Sequence, residues 1–175
     1  MERLSGIFGS RSLAAILPVS FGLLSAIAAN VPISFLGSWL PTPLLSLMVV
    51  YFWCLVRPDL MSPGWAFMIG LTEDILSGGP PGVWAASYVA TYAVIDRQRD
   101  AFAGLSGLGA ILGFATAALI ACGTAYVVMN FYYWRLLPIS PVVSEFAMTA
   151  VCYVPVVYLL GAVHRHLVGP LRSDF

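Results

Sequence analysis

The 175-residue chain is 60% hydrophobic and 9% charged, with a formal net charge of zero. A soluble domain carries about 25% charged residues, so this composition excludes a water-soluble globule and makes lipid the main solvent. There is no Lys and no basic run, which leaves nothing to attract a nucleic acid.

Six apolar segments follow one another, near Leu13–Ala29, Pro43–Val56, Pro63–Ser77, Val83–Ile95, Leu105–Met129 and Pro141–Val163. They are continuously apolar and do not alternate with period two, so they read as membrane helices and not as barrel strands. The expected fold is therefore all-α: a single polytopic helical bundle filling residues 1–175. The first segment also resembles a signal peptide, with Arg3 and Arg11 before it and Ala26-Ile27-Ala28 at its end. Pro18 inside the run, and the lack of a soluble domain to export, argue against cleavage.

Thr42-Pro43, Ser62-Pro63 and Ser140-Pro141 each place a capping hydroxyl before a proline. Each pair predicts a helix start, because the hydroxyl accepts an orphan N–H and proline suits the first helical position. Arginine sets the orientation. With the N-terminus cytoplasmic, Arg3, Arg11, Arg57, Arg97, Arg99, Arg165 and Arg172 lie inside and Arg135 alone lies outside. Trp53 and Trp65 then fall near the inner face. Trp39, Trp84 and the Tyr132-Tyr133-Trp134 run fall near the outer face, where such residues anchor a membrane protein. The second, third and fourth segments are short for a span of about 20 residues, and the third and fourth either cross fully or form a re-entrant hairpin.

The end of the third segment and the break after it read Gly70-Leu71-Thr72-Glu73-Asp74-Ile75-Leu76-Ser77-Gly78-Gly79-Pro80-Pro81-Gly82. A charge in the middle of a bilayer costs about 2.5–3.5 kcal/mol on insertion scales, so Glu73 and Asp74 must be protonated, paired, or turned towards protein or water. Asp74 shares a helix stripe with Gly70 and Gly78, a bare groove that lets a second helix approach. It is expected to bond backbone N–H groups freed by the glycine-rich break, or the positive N-terminal turn of the helix that begins near Val83. Glu73 shares its stripe with Ile69 and Ser77 and is expected to face a partner or an outer vestibule. The Gly78–Gly82 break reads as a tight outer turn; it lacks the pattern of a phosphate loop.

In the fifth segment Gly109, Gly113, Ala117, Ala121 and Ala125 recur every four residues. Such a ladder lets backbones meet, within this bundle or with another chain, and a groove floored by Asp74 and lined by the ladder is a candidate seat for a single-span partner helix. Arg135 and Glu145 are candidates for an outer ion pair, and Pro155 is expected to kink the sixth segment. Cys54, Cys122 and Cys152 are an odd number in apolar stretches, which argues against disulfides. His164 and His166 do not share a helix face. No metal, cofactor or catalytic constellation is expected.

The stretch from Gly70 through Asp74 to Gly82, with its Gly-aliphatic-x-x-Asp-aliphatic-aliphatic pattern and small-residue turn, resembles the signature of the rod shape-determining MreD family. Chain length and the absence of a soluble domain agree with it. Glu73 and Pro81 are not part of that pattern. The resemblance implies a non-enzymatic scaffold subunit of the bacterial inner (cytoplasmic) membrane, in the cell-elongation machinery that makes peptidoglycan. It also implies an MreC-like bitopic partner and, through it, the RodA glycosyltransferase, the elongation transpeptidase and MreB filaments. The fold it implies is similar to the S-components of energy-coupling-factor transporters. A substrate-binding subunit for a small solute such as a vitamin is therefore the rival reading, with Glu73, Asp74, Glu145 and Arg135 as pocket candidates. A proton relay or channel lacks the necessary line of polar residues.

Overall fold

The computed structural model describes the backbone of residues 2–30, 41–103 and 108–163, and the side chains of 16–30, 41–101 and 109–162. Trp39, Leu105, His164, Arg165, His166 and Arg172 lie outside the described residues, as do the side chains of Arg3 and Arg11. The described residues form seven helices and no strand: α1 (Glu2–Asn30), α2 (Leu45–Val56), α3 (Pro63–Ser77), α4 (Val83–Arg97), α5 (Arg99–Ala103), α6 (Leu108–Tyr133) and α7 (Ser140–Val163).

The α3 start follows from local chemistry. Ser62 is extended (φ −98°, ψ 162°), its hydroxyl accepts the Trp65 N–H at 3.4 Å, and Pro63 occupies the first turn. The α2 start differs from the Thr42-Pro43 expectation. The helix begins at Leu45, and Leu44 precedes it with no side-chain cap. A tertiary contact replaces the local one: the Leu44 N–H donates to Thr149 Oγ1 on α7 at 3.1 Å. Pro155 lies inside α7, which continues through it to Val163.

α6 and α7 contain the two described spans of membrane length, Gly109–Tyr133 and Ser140–Ala162. α2 has 12 residues, and α3 and α4 have 15 each. At 1.5 Å per residue these are about 18–23 Å long, short of the roughly 30 Å hydrocarbon core. Length alone therefore does not establish six spans.

α3 packs most extensively on α4, and α4 in turn on α6; α1 covers α2 and α3, and α7 rests on α6 and α2. An aromatic cluster joins three of these helices. Phe114 of α6 stacks on Tyr153 of α7 at 3.9 Å between centroids, and Tyr51 of α2 meets both rings edge-on. At the opposite end from the α3–α4 turn, Tyr92 donates to the Met61 carbonyl at 2.8 Å and ties α4 to the α2–α3 connection. Arg57 grips Asp59 there with Nη2 to Oδ2 at 2.8 Å and Nε to Oδ1 at 3.0 Å. The hydrogen bonds from Arg57 hold the Asp59 carboxyl below its ordinary range.

Candidate functional site

The α3–α4 turn is built around Asp74. Gly78 ends α3 in the left-handed region (φ 67°), and Gly82 precedes α4 at φ 96°, a conformation that favours glycine. Glycine at that position has no side chain with which to cap α4. Asp74 supplies the missing acceptor from the last turn of α3. Its Oδ2 accepts the N–H groups of Gly82 at 2.9 Å and Ala85 at 3.1 Å, and its Oδ1 accepts that of Trp84 at 2.8 Å. The carboxylate is 2% exposed. Its charge sits where the helix dipole of α4 is positive, so burial is offset by three charge-assisted bonds.

Gly70, one turn earlier, makes this possible. A Cβ there would lie 2.6 Å from the Trp84 carbonyl oxygen and 2.7 Å from the Ala85 Cα. Both are backbone atoms and neither can yield. The absent side chain at Gly70 thus sets the distance at which Asp74 reaches the α4 amides. Gly79 lies exposed in the turn and lines a small cleft with Asp74, Ser77, Pro80, Val83, Trp84 and Met129.

Glu73 does not face a partner or a vestibule; it is 4% exposed. Its stripe neighbour Ile69 is also buried, because this side of α3 turns inward against α1. Asn30 donates to Glu73 Oε1 at 2.6 Å, and Ser46 donates to Oε2 at 2.6 Å. Ser46 also lies 2.6 Å from the Tyr88 hydroxyl. Since the Ser46 proton goes to Glu73, Tyr88 donates to Ser46. One carboxylate thereby joins the end of α1, the start of α2, the end of α3 and the second turn of α4. Sequence reading missed Asn30, Ser46 and Tyr88. The signal available was a set of isolated polar residues near the same end of four apolar segments.

The α6 ladder is consumed inside the bundle. Ala117 and Ala121 are 0% exposed, Ala125 is 4% exposed and Gly113 is buried, while Gly109 is half-buried. α4 is the helix that packs most on α6. Neither Asp74 nor the buried rungs of this ladder can therefore form the open floor of a partner groove.

Arg135 and Glu145 do not pair. The one ion pair among the described residues joins Arg57 and Asp59. Arg135 leaves the end of α6 over the Tyr133 ring, with its guanidinium carbon 5.9 Å from the centroid. Glu145 is half-buried one turn before Thr149, within electrostatic reach of Glu73, Tyr88 and Cys122. The two side chains diverge because one belongs to the turn and the other to the inward side of α7. Among the described residues no group of three His, Cys, Asp or Glu side chains is placed to hold a metal ion.

Helices of membrane length, apolar surfaces and two internally bonded carboxylates define an all-helical membrane protein whose polar groups serve assembly of the bundle. The chain belongs to the rod shape-determining protein MreD family, whose model matches residues 10–162. No curated protein and no solved structure matches it. Membership assigns the protein to rod-shape determination, within a family of structural membrane proteins that is not a known enzyme family.

Proposed function

We propose that this protein is a non-enzymatic scaffold of the bacterial inner membrane that binds a single-span, MreC-like partner. Through that partner it joins the RodA glycosyltransferase, the elongation transpeptidase and MreB filaments. In this reading α1, α2, α3, α4, α6 and α7 are six membrane helices of an S-component-like bundle, with both chain ends in the cytoplasm. The arginine distribution supports the orientation.

The observation that carries the reading is the family match over residues 10–162. The distribution of free surface agrees with it. The carboxylates and the small-residue ladder are spent on internal packing, whereas only 11% of the apolar α7 window is buried inside the molecule. The α6–α7 side is therefore the face a partner helix can use. The test is a mild-detergent pull-down of the tagged full-length protein from its own membranes. Recovery of the bitopic partner with the glycosyltransferase supports the scaffold. Recovery of ATPase and coupling subunits instead would replace it with a transport subunit.

A further inference from the structure

The last buried residue of α6 is Ala125 and the next buried residue along the chain is Thr149. The hairpin tip between them is apolar, yet it is held in one shape. Asn130 Oδ1 accepts the Leu137 N–H at 2.8 Å, and Tyr126 donates to the Leu137 carbonyl at 3.0 Å. These two bonds brace a turn in which Trp134 adopts φ 50°, a left-handed conformation that bulky residues rarely take. Trp134 is 88% exposed and Leu136 is 89% exposed.

The braced turn encloses an open cleft of about 530 Å³, lined by Val127, Asn130, Phe131, Trp134, Arg135 and Leu136. The cleft is amphipathic along the helix axis. Val127 and Phe131 form an apolar wall that runs down α6. At its outer end stands Arg135, a cation with no carboxylate partner among the described residues. Asn130 adds an amide nitrogen that carries no bond among the described residues. The 25-residue span Gly109–Tyr133 is about 37 Å long, longer than the roughly 30 Å hydrocarbon core. Arg135 is thereby set at headgroup level while Val127 lies among the acyl chains.

We propose that this cleft binds an anionic phospholipid, with its phosphate on Arg135 beside the Tyr133 ring and an acyl chain along Val127 and Phe131. The proposal rests on the membrane placement of α6 and α7 given above, but not on the identity of any protein partner. Charge complementarity selects the occupant: the guanidinium has no carboxylate partner among the described residues, and the apolar wall below it suits a chain that a soluble phosphate lacks.

The test uses the full-length protein in phosphatidylcholine nanodiscs. Trp134 emission is isolated as the difference between wild type and Trp134→Phe. Brominated phosphatidylglycerol should quench it at a mole fraction about fivefold lower than brominated phosphatidylcholine, as one cation at a membrane surface implies. Arg135→Gln should abolish that preference, and Arg135→Lys should retain part of it. Equal quenching by the two lipids in the wild type would overturn the site and leave only a general aromatic anchor. No quenching of any tryptophan by either lipid would overturn the membrane placement as well.

Discussion

The carboxylate of Asp74 holds the amide N–H of Trp84 at 2.8 Å, so that the last turn of α3 caps the first turn of α4. Ordinary N-caps come from the residue that precedes the helix. Here that residue is Gly82, and the acceptor reaches in from eight residues earlier. The helical hairpin is closed by its own carboxylate.

Replacement of Asp74 by Leu leaves the three amides it now bonds without their acceptor, that of Ala85 buried and those of Gly82 and Trp84 partly so. Bonds to a charged group contribute about 1.5–3 kcal/mol each and are not additive, so a loss of about 3 kcal/mol or more is expected. A fall in the thermal midpoint of the detergent-solubilised protein measures it. Asp74→Asn keeps one acceptor oxygen and should fall between Leu and wild type. In a rod-shaped host, Asp74→Leu should round the cells because less folded protein accumulates. Rounding with full accumulation would show instead that Asp74 acts on a partner directly.

Gly70→Ala tests the close approach. The added methyl would sit 2.6 Å from the Trp84 carbonyl oxygen, so α3 must move away from α4 and lengthen the Asp74 bonds. A gain of up to about 1 kcal/mol in helix propensity is outweighed by an overpacking cost of about 1–3 kcal/mol. The double variant Gly70→Ala, Asp74→Leu should lose less than the sum of its single changes, since both act on one contact. Full additivity in thermal unfolding would separate the two positions.

How much of this was legible before the structure depends on distance along the chain. Ser62-Pro63 gives the α3 start from adjacent residues. Asp74 lies only ten residues from Trp84, so the helix stripe and the turn chemistry together point its carboxylate at the α4 amides. The network of Glu73 spans 43 residues to Asn30 and 27 to Ser46, and no local pattern specifies which helices meet. The same limit misled the reading of Thr42-Pro43. Thr149, 105 residues away, binds the Leu44 amide and makes the local cap unnecessary. Arg135 and Glu145 lie ten residues apart, yet the turn between α6 and α7 sends them to different sides.

Glu73 is predicted to tolerate an amide better than a hydrocarbon. In Glu73→Gln the Asn30 amide keeps an oxygen acceptor. The Ser46 hydroxyl rotates to accept from the new amide and donates to Tyr88, whose own proton then loses its acceptor. The cost should be about 1 kcal/mol, that of one net hydrogen bond. Glu73→Leu removes the acceptor of one Asn30 N–H and of the Ser46 proton, while Asn30 keeps its bond to the Ala26 carbonyl and Ser46 its contact with Tyr88, and a loss of about 2 kcal/mol is expected. Equal thermal midpoints for the two variants would show that charge, and not hydrogen bonding, holds the four helices at this point.

The Arg57–Asp59 pair should matter only weakly and only above acidic pH. The folded carboxyl titrates below its unfolded value, so its contribution is present above the unfolded pKa and is lost as pH falls through the folded one. Because Asp59 is 52% exposed, solvent screening limits the pair to about 0.5 kcal/mol. Asp59→Asn should therefore reduce the thermal midpoint slightly at pH 7, with the difference from wild type vanishing as pH falls through the lowered folded pKa of Asp59.

Gly123 offers a change that separates folding from partner binding. It is exposed on α6 at the edge of a small apolar groove formed with Leu119, Cys122, Tyr126, Ile139, Val142, Val143 and Phe146. A Cβ added at Gly123 meets nothing within 4 Å, and replacing glycine inside a helix stabilises it by about 0.5–1 kcal/mol. Gly123→Ala should therefore leave the thermal midpoint unchanged or slightly raised. Gly123→Leu fills the groove from within the chain. Lipid tails adapt to that change, whereas a helix packed over the glycine cannot, because small residues are what permit close approach between membrane helices. If a single-span partner uses the α6–α7 side, Gly123→Leu should cut its recovery in the pull-down at least tenfold, with normal accumulation and thermal stability. Undiminished recovery would move the partner to another face of the bundle.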